Sequence, residues 1–389
     1  DMKLPGMLTA VVAHPPLFGA RVKSFDASKT KKVKGVVDVV QIPEGVAVLA
    51  NNFWAAKQGR EGLSVEWDEA GANRLGSPEI LAQYKTLAGK PALAAHQSGD
   101  TNAAFRSAAK ILEAAFEFPY LAHAAMEPMN CVVELGKDGC EVWNGEQFQT
   151  VDQANVAAAV GMKPEQVKIN MLYAGGSFGR RANPRSDYPV EAAHIAKAID
   201  GRVPVKLQWT REDDMRAGYF RPIYYHTLRA GLDADGNPVA WHHRIVGQSI
   251  LAGTPFESML VKAGIDATSV EGASNLPYAI PNMLVDLHSP KVGVPVQWWR
   301  SVGSTHTAFS TETFIDELAA AADKDPVEFR RALLAKHPRH LGVLNLVAEK
   351  AGWGTPLAKG KARGVAVHES FKTFVAQVAE VLMKPDGSF

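Results

Sequence analysis

The sequence predicts a mixed α+β fold, strand-rich and multi-domain. Three observations carry that reading: 389 residues suit two or three domains, apolar alternation is sustained after Lys110, and amphipathic stretches of helical spacing lie between the strands. Residues 7–13 and 33–42 are apolar and β-branched around the turn-rich Pro15-Pro16, and residues 46–50 read as another short strand. Residues 53–63 have helical spacing, with Trp54 and Ala55 on the apolar face and Lys57, Arg60 and Glu61 on the other, and residues 63–67 return to strand. Residues 1–70 thus read as a small α+β unit. The weakly periodic stretch 71–108, with a turn at Gly99-Asp100, reads as a linker, and residues 109–389 as the main domain.

Within that domain, residues 111–120, 130–135 and 140–144 read as strands, 151–160 as an alanine-rich helix and 167–173 as a further strand. Residues 188–198 give an amphipathic helix, 203–209 a strand, and 226–246 a hairpin turned by Asp235-Gly236. Residues 311–322 and 326–334 are helical, with Asp325 as N-cap ahead of Pro326 at the first helical position.

A composition of 46% hydrophobic and 21% charged residues, with net charge +1, argues against nucleic acid or an anionic membrane as the main partner. Lys31, Lys32 and Lys34 are too few and too local to make a basic surface. No apolar run approaches the eighteen residues a membrane-spanning helix needs. Cys131 and Cys140 flank the turn Gly136-Lys137-Asp138-Gly139 and read as two buried thiols in preference to a cross-strand disulfide. Two cysteines cannot supply the four thiolates that an iron–sulfur cluster takes. The chain opens at Asp1 and stops at Phe389, straight after the strand-like residues 375–382, so it is expected to be a piece of a longer protein.

The richest local signal is Tyr173-Ala174-Gly175-Gly176-Ser177-Phe178-Gly179-Arg180-Arg181, directly after the strand at 167–173. Three glycines in five positions let the backbone bend through φ > 0 and bring N–H groups close to a ligand, and two guanidinium forks beside them suit a polyoxygen anion. The loop is neither a Walker loop nor a dinucleotide fingerprint, because it lacks Gly-Lys-Ser/Thr and the Gly-x-Gly-x-x-Gly spacing. Other polar groups are weaker signals. His123 and Glu127 have the i, i+4 spacing of a metal pair, but Pro128 makes a helix there doubtful. His242 and His243 alternate across a strand, one buried and one exposed. Arg211-Glu212-Asp213-Asp214 reads as a solvated turn, and no Gly-x-Ser-x-Gly elbow supports serine hydrolysis.

Taken in order, His123-x-x-x-Glu127-Pro128, Trp143-x-x-x-Gln147, Gly175-Gly176-Ser177-Phe178-Gly179, Thr210-Arg211-Glu212-Asp213-Asp214-Met215 and Trp298-Trp299-Arg300-Ser301-Val302-Gly303 form a series. It resembles the molybdenum-binding subunit of the xanthine oxidase and aldehyde oxidase family, nearest to the isoquinoline 1-oxidoreductase β subunits. Residues 314–318 and 325–330 also look like family signatures.

The resemblance implies an α/β hammerhead-like unit at residues 1–70, followed by a strand-rich molybdenum-cofactor-binding domain. It implies molybdopterin cytosine dinucleotide carrying molybdenum as cofactor, with Gln147, Gly175, Gly176, Ser177, Phe178, Gly179, Arg180 and Arg300 in contact with it. Gln147 would donate its amide to an oxo ligand, residues 178–179 would lie against the metal's apical ligand, and Arg300 would stabilise charge on the substrate. The implied reaction hydroxylates an N-heteroaromatic ring or an aldehyde with water-derived oxygen, and a small [2Fe–2S] subunit takes the electrons. A membrane-bound cytochrome as acceptor, a homo-oligomer, and either a cytoplasmic or a periplasmic location stay open. The xanthine-type Gly-Lys-Glu continuation is replaced by Arg180-Arg181-Ala182, which speaks against a purine, and no Gly-x-Gly-Glu motif is present to carry the family's catalytic base, so this piece by itself is expected to be inactive. The rival readings are a non-catalytic module that holds an anion or a partner at the glycine loop, and a hydrolase using that loop as an oxyanion cradle.

Overall fold

The computed structural model describes residues 2–389. Two sheets organise the chain. A seven-stranded sheet runs in the order Val167–Leu172, Cys140–Gly145, Asn130–Leu135, Val205–Gln208, Leu8–Ala13, Gly45–Ala50 and Val36–Ile42. Of its two parallel contacts, Leu8 opposite Val205 joins distant parts of the chain, and Cys140 opposite Val167 joins consecutive strands across helix Gln149–Val160.

Residues 1–70, read as a small α+β unit, supply three strands to this sheet. Ala10, Val12, Ala47 and Leu49 pack in one core with Cys131, Val142, Tyr188 and Leu207, so the first segment contributes to a shared sheet, while Arg21–Asp26 pairs with Ser64–Asp68 over a small core of its own that includes Ala27, Val39, Val46 and Val48. Helices Gln149–Val160 and Asp187–Ala198 cover this face, and helix Phe53–Glu61 covers the other through Ala55 and Ala56 against Val11 and Ala50. Trp54, expected on the apolar side, is 61% exposed, while Gly59 takes the buried position where a Cβ would come within 2.8 Å of Val36 and Val48. Arg60 of the supposed polar face is half-buried and pairs with Asp213 at 2.7 Å.

The second sheet has five strands, in the order Leu93–Ser98, Asn282–His288, Pro238–Gly247, Tyr224–Leu232 and Lys110–Phe118. Its first strand lies in the stretch read as a linker. Residues 71–108 also form helices Ser77–Ala88 and Thr101–Ser107, which bury Ile80, Tyr84 and Phe105 against this sheet. The periodicity is weak there because each helix is anchored by only two or three side chains. Helix Ser304–Ala321 covers the opposite face with Phe314, Ile315 and Leu318, supported by helices Pro326–Leu333 and Pro338–Lys350. Asp325 caps helix Pro326–Leu333, accepting from the N–H groups of Val327 and Glu328 at 2.9 and 3.0 Å. Arg330 inside this layer is fully buried and donates to Glu312 at 3.0 Å, while Glu312 also accepts from Tyr278 at 2.6 Å and the Val367 amide at 2.8 Å.

Both cysteines are free and buried, and the register explains why no bridge forms: Cys140 faces Leu135 across the hairpin, four residues from Cys131. The charge run at 211–214 is not a loose turn. Residues Arg211–Arg216 form a helical turn capped reciprocally by Thr210 and Asp213. His243 is buried and His242 partly exposed, as strand alternation requires. Strand Asn282–His288, helix Pro338–Lys350 and strand Lys361–Ser370, which pairs with Thr373–Leu382, had drawn no reading from the sequence.

Candidate functional site

The glycine loop connects edge strand Val167–Leu172 of the first sheet to helix Asp187–Ala198. It meets residues 289–303, which lead from the second sheet into helix Ser304–Ala321, so the site sits on the seam between the two sheets. Backbone pairing of Phe220 with Pro295 and Gln297 fastens the seam, at 3.1 and 2.9 Å.

Four of the expected residues converge here. Ser177 Oγ donates to Gln147 Oε1, the Arg300 N–H donates to the Phe178 carbonyl at 2.8 Å, and the Phe178 ring stacks on Trp299 at 6.4 Å. Gln147, Phe178 and Arg300 are exposed. Among the described residues, the N–H groups of Gly176, Ser177, Phe178 and Gly179 meet no acceptor, and neither does the Gln147 amide nitrogen. Four consecutive free amides, an amide side chain and a cation form a donor-only set, which suits an anionic oxygen-rich group. The residues present therefore fit the oxo and phosphate chemistry that the sequence resemblance implies. Phe148, stacked on Phe256 at 5.6 Å and edge-on to Trp298 at 6.0 Å, adds an aromatic wall that the sequence had not marked.

Gly179 has φ +100, and a Cβ there would fall 3.2 Å from the Trp298 carbonyl. The fold itself thus requires this glycine, a different reason from the close metal approach expected of it. Phe178, Ser301 and Val302 also have positive φ, at +57, +77 and +51, and Ala124 and Ser186 join them on adjoining loops at +51 and +52. A β-branched residue such as Val302 in this region is strained, and such strain concentrates where the surroundings over-determine a loop.

Two expected contact residues are otherwise engaged. Arg180 is 1% exposed, grips Asp187 with both terminal nitrogens at 2.9 and 2.5 Å and lies over the rings of Trp209 and Tyr219. The Gly175 N–H donates to Glu127 at 2.6 Å, and a Cβ on Gly175 would strike Glu127. Arg181, the second of the pair read as an anion fork, is equally buried and donates to Glu127 at 3.0 Å and to the Gly145 carbonyl at 3.4 Å. The anion-binding module thereby loses both of its guanidinium ligands.

His123 and Glu127 lie on no helix. Among the described residues no group of three metal-ligating side chains occurs. Burial, with the Arg180 cation nearby, pushes His123 down to about 4, so its neutral ring donates from Nε2 to the Trp298 carbonyl at 2.9 Å. Burial raises the Glu127 carboxyl, but the Gly175 N–H, the Asn130 amide and Arg181 outweigh it and hold the group below the usual carboxylate range. Arg211 fixes the same 123–127 loop by donating to the Ala125 and Met126 carbonyls, both at 2.6 Å.

Beside the aromatic wall opens a cleft of about 540 Å³ lined by Arg185, Tyr219, Ser249, Glu257, Lys291 and Val294, among others. Much of its rim comes from the 247–275 segment, which carries no readable motif.

Residues 87–334 match the molybdopterin cofactor-binding domain family, and that match spans more than half of the chain. The beta subunit of the isoquinoline 1-oxidoreductase of Brevundimonas diminuta is 30% identical over 395 residues, 98% of this chain and 50% of the relative. The chain belongs to the xanthine oxidase family, as a molybdenum-binding subunit. Within that family, a nicotinate dehydrogenase subunit of Pseudomonas putida is 27% identical, over 91% of this chain and 30% of its own length. A solved relative, the quinoline 2-oxidoreductase of Pseudomonas putida 86, shares the fold with a TM-score of 0.74 at 19% identity, covering 95% of this chain and 54% of that one. The chain therefore spans about half the length of the first relatives it matches.

Proposed function

We propose that this chain forms part of the large subunit of a molybdenum-dependent hydroxylase. Its substrate is an N-heteroaromatic compound or an aldehyde, its oxygen comes from water, and its electrons pass to a small iron–sulfur subunit. The observation that carries the reading is the donor set of Gln147, the amides of 176–179 and Arg300 on one seam. The names of the relatives, which point to isoquinoline, nicotinate and aldehydes, support the substrate class.

The amides of residues 176–179 and the Gln147 side chain would hold the cofactor, in the form of molybdopterin cytosine dinucleotide. When bound, it supplies a two-electron acceptor and an activated oxygen at neutral pH. Ser177 fixes the direction in which Gln147 donates, because its hydroxyl occupies Oε1 and leaves the amide N–H₂ facing outward. Phe178 and Trp299 exclude water from one side, and Arg300 offers a fixed cation to a substrate oxygen or ring nitrogen as negative charge grows on it. The cleft rimmed by residues of 247–275 would sort substrates by shape.

The test is metal analysis of the full-length gene product co-purified with its iron–sulfur partner. Molybdenum with dye-linked oxidation of N-heterocycles or aldehydes is expected, and a metal-free protein without electron transfer rejects the reading. In the loaded enzyme, Gln147→Ala and Arg300→Ala should each lower kcat by about 10²–10³ with metal content retained.

A further inference from the structure

Three histidines from three elements meet behind residues 297–302. His226 lies on strand Tyr224–Leu232, His243 on strand Pro238–Gly247, and His306 in the first turn of helix Ser304–Ala321. None exceeds 1% exposure. His226 Nδ1 stands 3.0 Å from His243 Nε2 and 3.0 Å from Ser310 Oγ, and His226 Nε2 stands 3.1 Å from His306 Nδ1. Burial, reinforced by neighbouring imidazoles and Arg221, holds His226 and His306 well below the usual histidine range; burial and His242 push His243 down to about 3. All three are neutral at pH 7. A neutral imidazole has one donor and one acceptor, so the chain of rings admits two collective states: every proton on Nδ1, or every proton on Nε2.

Between His306 and the seam lies a cavity of about 10 Å³, lined by Arg221, Gln297, Trp298, Trp299, Gly303 and His306 among others, with room for one water molecule. Four buried polar atoms on its walls have no partner among the described residues: Arg221 Nε, Trp299 Nε1, Gln297 Oε1 and His306 Nε2. The first two can only donate. Gln297 is fully buried, and its Nε2 donates to the Gly179 and Arg180 carbonyls at 3.3 and 3.2 Å, which fixes Oε1 as an acceptor. Leaving such atoms unmade costs roughly 1–3 kcal/mol apiece, and a water that accepts twice and donates twice satisfies all four.

We infer that one ordered water occupies this cavity, accepting from Arg221 and Trp299 and donating to Gln297 Oε1 and His306 Nε2, and that His306 and Gln297 are thereby positioning residues for the glycine loop. The water needs His306 Nε2 as its second acceptor, so the ring carries its proton on Nδ1. Through the contacts above, His226 and His243 must do the same. The tether then runs from the histidine stack through the water to Gln297, and from Gln297 to the carbonyls of residues 179 and 180, directly behind the free amides. Its meaning for cofactor binding rests on the function proposed above; the water and the tautomers do not.

Two measurements on the unmodified chain come first, because neither depends on a variant folding. A crystal structure that resolves solvent should show a peak within about 3 Å of those four atoms. Nitrogen-15 spectra should show three buried histidines protonated on Nδ1. A dry cavity, or protons on Nε2, overturns the inference. The positioning role is read by amide exchange at Arg180, Arg181 and Ala182, whose N–H groups are held by the Ser177 carbonyl, the Ser177 hydroxyl and the Gly179 carbonyl. His306→Phe removes the acceptor and Gln297→Met the clamp, and each should speed exchange about tenfold or more, while His306→Gln, which keeps an acceptor, should restore protection. Unchanged exchange in both disruptive variants overturns that role. None of these readouts involves molybdenum, so failure here and failure of the proposed function remain separate results.

Discussion

On the outer side of the glycine loop the amides of 176–179, the Gln147 side-chain nitrogen and the Arg300 guanidinium have no partner among the described residues, whereas on the inner side, one residue further along, Arg180 and Arg181 are buried and matched by Asp187 and Glu127. The loop amides and the two buried arginines share one short sequence. Their difference teaches that free donors, rather than charges as such, mark the working face. A guanidinium already held by a carboxylate shapes the loop, while an unpaired amide is available to a ligand.

The sharpest way to break this comparison is to remove a charge from each side. Arg180→Ala leaves Asp187 uncompensated beside a buried space and should cost roughly 3–5 kcal/mol in urea unfolding. An equal loss for Arg300→Ala would erase the distinction.

A second probe lies beneath Gln147, where burial and the adjacent Glu146 carboxyl push Asp152 up to about 9. The folded chain keeps this proton after the unfolded chain has lost it. Stability is therefore fullest below about pH 4 and falls as pH rises to about 9, by at most about 1.4 kcal/mol per unit. Asp152→Asn, which can still donate to Glu146, should flatten that decline; an unaltered slope in urea midpoints measured from pH 5 to 8 would place the titration elsewhere.

Gly179→Ala forces a Cβ toward the Trp298 carbonyl at φ +100 and should cost about 1–3 kcal/mol, seen as a lower thermal midpoint. The smallest effect belongs to the outer face. Arg300→Ala should shift stability by less than about 0.5 kcal/mol while impairing turnover in the full enzyme.

Some site residues were legible in order and others only in space. The Gly175 to Gly179 run and the Trp298-Trp299-Arg300 segment stand out in the sequence because glycine clusters and paired tryptophans are unusual, and their order identified the family. Gln297 gave no signal, since a glutamine before two tryptophans is unremarkable until its amide is seen spanning to residues 179 and 180. Glu127 was visible as part of the His123-x-x-x-Glu127-Pro128 motif, but only the loop geometry makes it the brace of Gly175 and Arg181. The helices and the strand within 71–108 left little trace for a related reason: short elements with two or three anchors carry little periodicity.

The sequence by itself determined the local elements, from the Asp325 cap to the alternation of His242 and His243, because 3.6- and 2-residue periods and capping chemistry act over a few positions. It also set the motif order that names the family. Tertiary structure alone decided that residues 1–70 complete a shared sheet, that Arg180 and Arg181 turn inward, and that His226, His243 and His306 stack behind the seam. Those outcomes depend on which distant segment supplies each polar group with its partner, and pairing across 48, 54 or 80 positions leaves no trace in any local pattern.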